Sequence, residues 1–250
     1  MPNLTAHIDI ALECVTLLPI PVLQHNMGAF LLGSCSPDVR IVTHTHRSNT
    51  HFAPITNDIL GLGMANMFQT YPALADWVNL PEKTQAFIAG YISHLITDEA
   101  WIIKMYQPYF GNRSVFEDEM LANIADRAVQ LDLDKAAIEA HQGFQHITPM
   151  LTNAHQGIEI EFIDTAVLAE FQQRVQEATQ RQFSWERLVF MARRQYPEYN
   201  DVAESKAKLF LDGLPDSLND VYQRMPVSAV TDFRSTILEL WLQTMKEYLP

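Results

Sequence analysis

The sequence predicts an all-α protein built as a compact multi-helix bundle. Three observations carry that expectation. Apolar residues recur at helical spacing, as in Phe87, Ile88, Tyr91, Leu95 and Ile102. Convincing strand-type alternation is absent. Pro and Gly punctuate the gaps, at Pro72, Pro108-Tyr109-Phe110-Gly111, Gly213-Leu214-Pro215 and Met225-Pro226.

The elements follow in order. A helix over about 4–18 is marked by Ile8, Ala11, Leu12 and Val15 on one face, with His7 opening it. A second, over 22–33, is stopped by the breaker cluster Gly33-Ser34-Cys35-Ser36-Pro37. A third, over 54–70, begins after Thr50-His51-Phe52-Ala53-Pro54 and ends before Pro72. The stripe from Phe87 to Ile102 belongs to a helix over 83–106. Further helices are expected at 116–131, 134–143, 159–180, 184–195, 202–212 and 228–247. The expected organisation is a single helical domain over 1–250. Its 1–110 part carries the recognisable motifs, and its 111–250 part has no assigned role beyond packing over the first and shaping a pocket.

Composition bounds the function. At 250 residues, with 48% hydrophobic and 19% charged residues, the chain has ample core and no disorder signature. A formal net charge of -13 argues against broad binding to nucleic acid or anionic membrane. The 1–20 region lacks a cationic start and carries His7, Asp9 and Glu13, so it does not read as a signal peptide. No run of 18 apolar residues marks a transmembrane segment. Cys14 and Cys35 read as buried free thiols. Together these features fit a cytoplasmic protein.

The most informative residues are His94 and Asp98. Four apart on one helix, they share a face one turn apart. That spacing suits either a hydrogen-bonded core pair or two ligands to one divalent cation. Gly90, one turn earlier, leaves room for another backbone or a ligand. His7, Asp38 after the breaker cluster, and His51 sit beside other apolar stretches. Three His and two Asp from four separated segments suit a buried site for two zinc-like ions, with one carboxylate bridging.

These residues fall in recognisable words: Thr5-Ala6-His7-Ile8-Asp9-Ile10-Ala11, then Gly28-Ala29-Phe30-Leu31-Leu32-Gly33 leading into Ser36-Pro37-Asp38. Thr50-His51-Phe52 follows, and then Phe87-Ile88-Ala89-Gly90-Tyr91-Ile92-Ser93-His94 with Asp98 and Trp101. In these words the chain resembles the zinc-dependent phospholipase C family over about residues 4–102, the catalytic domain of glycosylphosphatidylinositol-specific phospholipase D in particular. The resemblance implies an all-helical fold and clustered zinc ions that hydrolyse phosphodiesters. It makes His7, Asp38, His51, His94 and Asp98 the metal ligands, Asp98 the bridge, and Asp38 the catalytic base that orients water. Secreted bacterial members hold a third zinc ion through ligands soon after the His-x-x-x-Asp helix. Here Ile102, Ile103 and Lys104 occupy that stretch, so two ions are expected and a third is in doubt. His141, His146, His155 and Glu159 are its weak candidates.

Other residues carry two readings. His44 and His46 suit extra ligands or, more simply, a solvated loop. Trp101 suits a pocket wall or ordinary core. Glu99 points about 100° from Asp98 around the helix and suits a hydrogen-bond network. Phe183, Trp185, Phe190, Tyr196 and Tyr199, with Arg187, Arg193 and Arg194, suit a substrate surface or packing.

The expected function is a zinc-dependent hydrolase acting on a phosphodiester, either phospholipid-like or a small soluble molecule. Fe, Mn or Co also suit carboxylate-rich His sites. Two alternatives stay open at this point: a dimetal lyase, cyclase or other hydrolase in a biosynthetic pathway, and a non-catalytic binding or scaffold protein with structural metals.

Overall fold

A computed structural model describes residues 1–111 and 115–248. They form helices and turns, with no strand among the described residues. Helix α1 spans Leu4–Leu17, α2 Pro21–His25 and α3 Met27–Gly33. Two single-turn helices follow, α4 at Arg40–Thr43 and α5 at Ser48–His51, then α6 at Leu62–Thr70 and α7 at Glu82–Ala100. The rest of the chain adds α8 Glu119–Ala140, α9 Thr165–Gln180, α10 Arg187–Gln195, α11 Asn200–Asp212, α12 Asp216–Gln223 and α13 Ala229–Tyr248. Among the described residues no helix is long and apolar enough to cross a membrane.

Helix α7 is the axis of the fold. The sequence predicts one apolar stripe, yet α7 is buried from Thr84 to Ala100 without a break. Its polar positions can enter the core because they are satisfied locally. The hydroxyls of Ser93 and Thr97 donate back to the carbonyls of Gly90 and Ser93, each at 2.7 Å. Helices α1, α2, α3, α6 and α13 pack around it. Trp241 of α13 is fully buried, stands edge-on to Phe30 at 6.2 Å, and donates its indole N–H to the Ala89 carbonyl at 3.2 Å. Each large apolar side chain buried in this way stabilises the fold by about 1.5–3 kcal/mol.

Glycine sets the spacing of α3 against α7. A β-carbon on Gly33 would overlap the Phe87 carbonyl, and one on Gly90 would overlap the Phe30 carbonyl and crowd the Ser34 amide. The two backbones therefore touch, and Gly90 serves the backbone rather than a ligand. Gly90→Ala is expected to gain about 1 kcal/mol of helix propensity and lose about 3 kcal/mol to overpacking. The net loss of about 2 kcal/mol is measurable by denaturant unfolding. A variant as stable as the parent would contradict the close approach.

Several predicted boundaries are corrected. The 22–33 helix breaks at Asn26, whose side chain donates to the Val22 carbonyl at 3.0 Å and competes with the helical ladder. The 54–70 helix begins only at Leu62. Asn57 holds a turn by accepting the Ile59 amide at 2.9 Å, and Gly61 adopts a positive φ of 82°. The helices at 116–131 and 134–143 are one, α8, because no Gly or Pro separates them and Asp134 is buried on a polar network. The 159–180 helix starts at Thr165, where the Asp164 carboxylate caps the Ala166 amide at 2.8 Å. Beyond Ala100 the 83–106 helix widens into a π-helical stretch, Trp101–Phe110. Helix α12 falls in a predicted gap. Leu218 and Val221 on its inner face, three residues apart, were a legible signal for it.

Candidate metal centre

Four segments deliver five side chains to one place. His7 closes the first turn of α1, its amide donating to the Asn3 carbonyl at 3.1 Å. That turn is tied to α8, because buried Asp134 accepts from Thr5 Oγ1 at 2.5 Å, Asn3 Nδ2 at 2.8 Å and Arg187 Nη1 at 3.1 Å. Asp38 lies in a 3-10 turn, Ser36–Val39, that begins with Pro37 inside its first turn. His51 ends α5, where Phe52 takes a left-handed conformation and closes the helix. His94 and Asp98 come from α7.

Each imidazole is oriented by something behind it. Ser34 presents its carbonyl to His94 Nδ1 at 2.8 Å, across the α3–α7 glycine contact. Thr50 Oγ1 meets His51 Nδ1 at 3.1 Å, and the Tyr91 hydroxyl pins that turn by donating to the Thr50 carbonyl. The His7 ring stacks on His94, with centroids 3.7 Å apart and planes 9° from parallel. The Nε2 atoms then face Asp98. His7 Nε2 stands 3.5 Å from Asp98 Oδ1, while His51 and His94 Nε2 stand 3.2 and 3.6 Å from Oδ2. Asp38 Oδ1 reaches within 3.8 Å of His51 Nε2 and, at 30% exposure, forms the open edge.

Two triads result, His7–His94–Asp98 and Asp38–His51–His94, the potential ligand atoms of each lying within 4.8 Å of one another. Among the described residues, the buried side-chain polar atoms without a hydrogen-bond partner gather here: His7 Nδ1 and Nε2, His51 Nε2, His94 Nε2, Asp98 Oδ1 and Arg47 Nε. A buried polar atom left unpaired costs about 1–3 kcal/mol. A cluster of imidazole nitrogens and a carboxylate oxygen in that condition has the donor chemistry of a zinc-like ion, so the residues present fit such a group.

The charge balance agrees. Burial, aided by neighbouring His94, lowers the His7 pKa to about 4. Burial also lowers His51. Burial opposes charge on His94, but Asp98 outweighs it and raises the His94 pKa. Burial likewise opposes charge on Asp98, yet His94, His51 and His7 hold its carboxyl well below the usual carboxylate range. Two neutral imidazoles and an ionised carboxylate are the forms a cation takes.

The other sequence candidates go elsewhere. His141 Nε2 pairs with Asp9 Oδ1 at 2.8 Å, and Asp9 is also held by Arg234. His146 lies beside the His141 ring, at 6.0 Å between centroids. His155 Nδ1 meets Gln172 Oε1 at 2.8 Å, and the Glu159 amide donates to Thr84 Oγ1. None of the four joins either triad. His44 and His46 are exposed, with His46 turned to Ser48 Oγ. Trp101 is core, donating to Asp126 at 2.9 Å and packing edge-on to Phe233. Glu99 accepts the amides of Gly61 and Gly63, which fixes the start of α6, and burial raises its pKa to about 7. Of the aromatic stretch, Phe183 and Trp185 pack on each other while Phe190 and Tyr199 stay exposed.

One residue escaped the sequence reading. Arg47 places Nη2 2.6 Å from Asp98 Oδ2. Its neighbours His44 and His46 mark a solvated loop, and the polar stretch Thr43-His44-Thr45-His46-Arg47 reads as one in the sequence. The usable signal was its position four residues before His51, on one face of a turn.

The segment bearing this centre is similar to one known family. Residues 6–101 match the family model described as zinc dependent phospholipase C. That match supports assigning the segment to the zinc-dependent phospholipase C family, which is all-helical. No curated protein and no solved structure matches the chain.

Proposed function

We propose that this chain, similar over residues 6–101 to the zinc-dependent phospholipase C family, is a metal-dependent phosphodiester hydrolase that binds two zinc-like ions through His7, Asp38, His51, His94 and Asp98. The observation that carries this reading is the set of unpartnered buried nitrogens and oxygen converging from four segments. His94 serves one ion only, because its Nδ1 is already held by Ser34. Asp98 has one oxygen toward His7 and the other toward His51 and His94, so it is the residue able to bridge. Its negative charge, buried among the imidazoles, supports a cation as the ligand of this centre. Bound ions would supply Lewis-acid polarisation of phosphoryl oxygens and lower the pKa of water toward neutrality.

The chain's own residues then divide the work. His7, His51 and His94 hold their rings by backbone, hydroxyl or stacking contacts, so little reorganisation is needed. Asp38 alone among the five is partly exposed, which puts a carboxylate where water and substrate enter. It is the candidate base that orients the attacking water. A small soluble phosphodiester and a cytoplasmic setting suit a chain of net charge -13.

Asp38→Asn tests this assignment. Turnover of a chromogenic phosphodiester by the zinc-loaded variant is expected to fall by about 100-fold or more beyond what its residual zinc explains. Full activity in a metal-replete Asp38→Asn protein would remove the base and leave the ions as the only catalysts. Zinc-loaded parent protein with no phosphodiesterase activity would remove the hydrolase reading and favour a structural centre.

A further inference from the structure

Arg47 caps α5 one turn before His51 and accepts the His51 amide on its carbonyl at 2.9 Å. Its side chain is only 12% exposed, so the guanidinium lies within the centre. There it makes one short charge-assisted contact, to Asp98 Oδ2 at 2.6 Å. The oxygen it takes is the one that His51 and His94 also face.

A guanidinium offers five N–H donors in a planar fork. A structural pair with a carboxylate uses that fork against both oxygens. Here the pairing is one-sided. Asp98 Oδ1 faces His7 Nε2 at 3.5 Å but has no hydrogen-bond partner, and Arg47 Nε is buried with none. Nη1 has only a long 3.5 Å contact with the Ala53 carbonyl, and Nη2 otherwise faces the Met1 sulfur. Arg47 therefore brings a partly unused fork, its Nε above all, into a buried site.

Its charge points the same way. A cation resting on a carboxylate that two ions would share opposes those ions, unless an anion lies between them. Two dications and Arg47 outweigh Asp38 and Asp98, leaving a positive surplus that only an anionic ligand would balance.

We propose that Arg47 is the phosphoryl-recognising residue of this centre, its fork taking the non-bridging oxygens of a phosphate ester. This assignment rests on the hydrolase reading and extends it by naming what selects the phosphoryl group. The guanidinium adds direction to a site whose ions attract any anion. Lysine at this position would keep the charge and lose the fork.

The test uses the zinc-loaded full chain, with inorganic phosphate as probe, in calorimetric titrations of the parent, Arg47→Gln and Arg47→Lys. Zinc is measured in each, and KM and kcat are measured on a chromogenic phosphodiester. Arg47→Gln is expected to weaken phosphate binding about 10–100-fold and to raise KM more than it lowers kcat. Its zinc content should equal or exceed the parent's. Arg47→Lys should recover only part of the phosphate affinity, and it carries the comparison if Arg47→Gln does not fold. Unchanged phosphate affinity in both variants would overturn the assignment. So would loss of zinc from both, which would make Arg47 a clamp on Asp98, or a parent that binds no phosphate. A parent that binds phosphate through Arg47 yet hydrolyses no phosphodiester would sink the hydrolase reading and leave Arg47's role standing.

Discussion

Zinc added to the metal-free protein is expected to raise its melting temperature by about 10 °C, with about two equivalents bound. Only the folded chain assembles residues 7, 38, 51, 94 and 98, so binding free energy becomes folding free energy. At a free concentration of about 30 times Kd this linkage contributes about 2 kcal/mol per site, about 4 kcal/mol for two sites. Each kcal/mol moves the midpoint of a domain this size by about 2–4 °C. The gain should also depend on pH. In the metal-free chain Asp98 raises the pKa of His94, so His94 keeps its proton to higher pH than a free imidazole, and wherever it is held an ion must displace it. As pH falls through that raised range the displacement costs more, and the zinc-induced shift should shrink. Without metal the sign is opposite: protonated His94 stabilises the fold below its unfolded pKa of about 6.5, and that contribution is lost as pH rises through the folded value. Differential scanning with and without zinc, at several pH values, measures both trends. A melting temperature indifferent to zinc at every pH would count against the metal centre itself.

Asp98→Asn should have the largest effect of any single substitution on metal content. The carboxylate faces the nitrogens of His7, His51 and His94 at once. Its replacement removes the charge of the His7–His94–Asp98 triad, takes away the oxygen that faces His51 of the other, and leaves Arg47 without its anion. Zinc content is expected to fall from about two equivalents toward zero. His51→Ala touches one triad and should retain about one equivalent. Activity should follow, with Asp98→Asn down by about 1,000-fold, a loss on the scale of removing the electrostatic core of a site. Elemental analysis of the two variants side by side decides the matter. Equal zinc loss in both would remove the bridging assignment.

Much of this was legible from residue types and spacing. The helical class followed from the 3.6-residue pattern. The His94–Asp98 pair was visible because a helix turns four-residue spacing into adjacency, and the breaker cluster before Asp38 predicted a turn where one is found. Other features were hidden for physical reasons. Asn26 and Asn57 reshape the backbone through their own side-chain hydrogen bonds, which apolar periodicity does not register. Burial of α7 on every face depends on hydroxyls folding back on their own helix. Arg47 looked solvated because its neighbours are. Its inward path depends on Asp98, which is remote in sequence. His141 and His155 have metal-friendly chemistry, but long-range partners, Asp9 and Gln172, claim them first.

The unbroken burial of α7 has a kinetic consequence. Amides from Thr84 to Ala100 have no exposed face from which to fray, so their hydrogen exchange should require opening of the whole fold. His94 and Asp98 ride on that slow segment, whereas Asp38 and His51 ride on single turns that local fluctuation can reach. Ions held here would not be equally labile. The one on the Asp38 side should trade with solution chelator quickly, and the one beneath His7 and His94 should leave on the timescale of unfolding. A two-phase chelation curve, fast then slow, is what a rigid central helix with a soft rim implies.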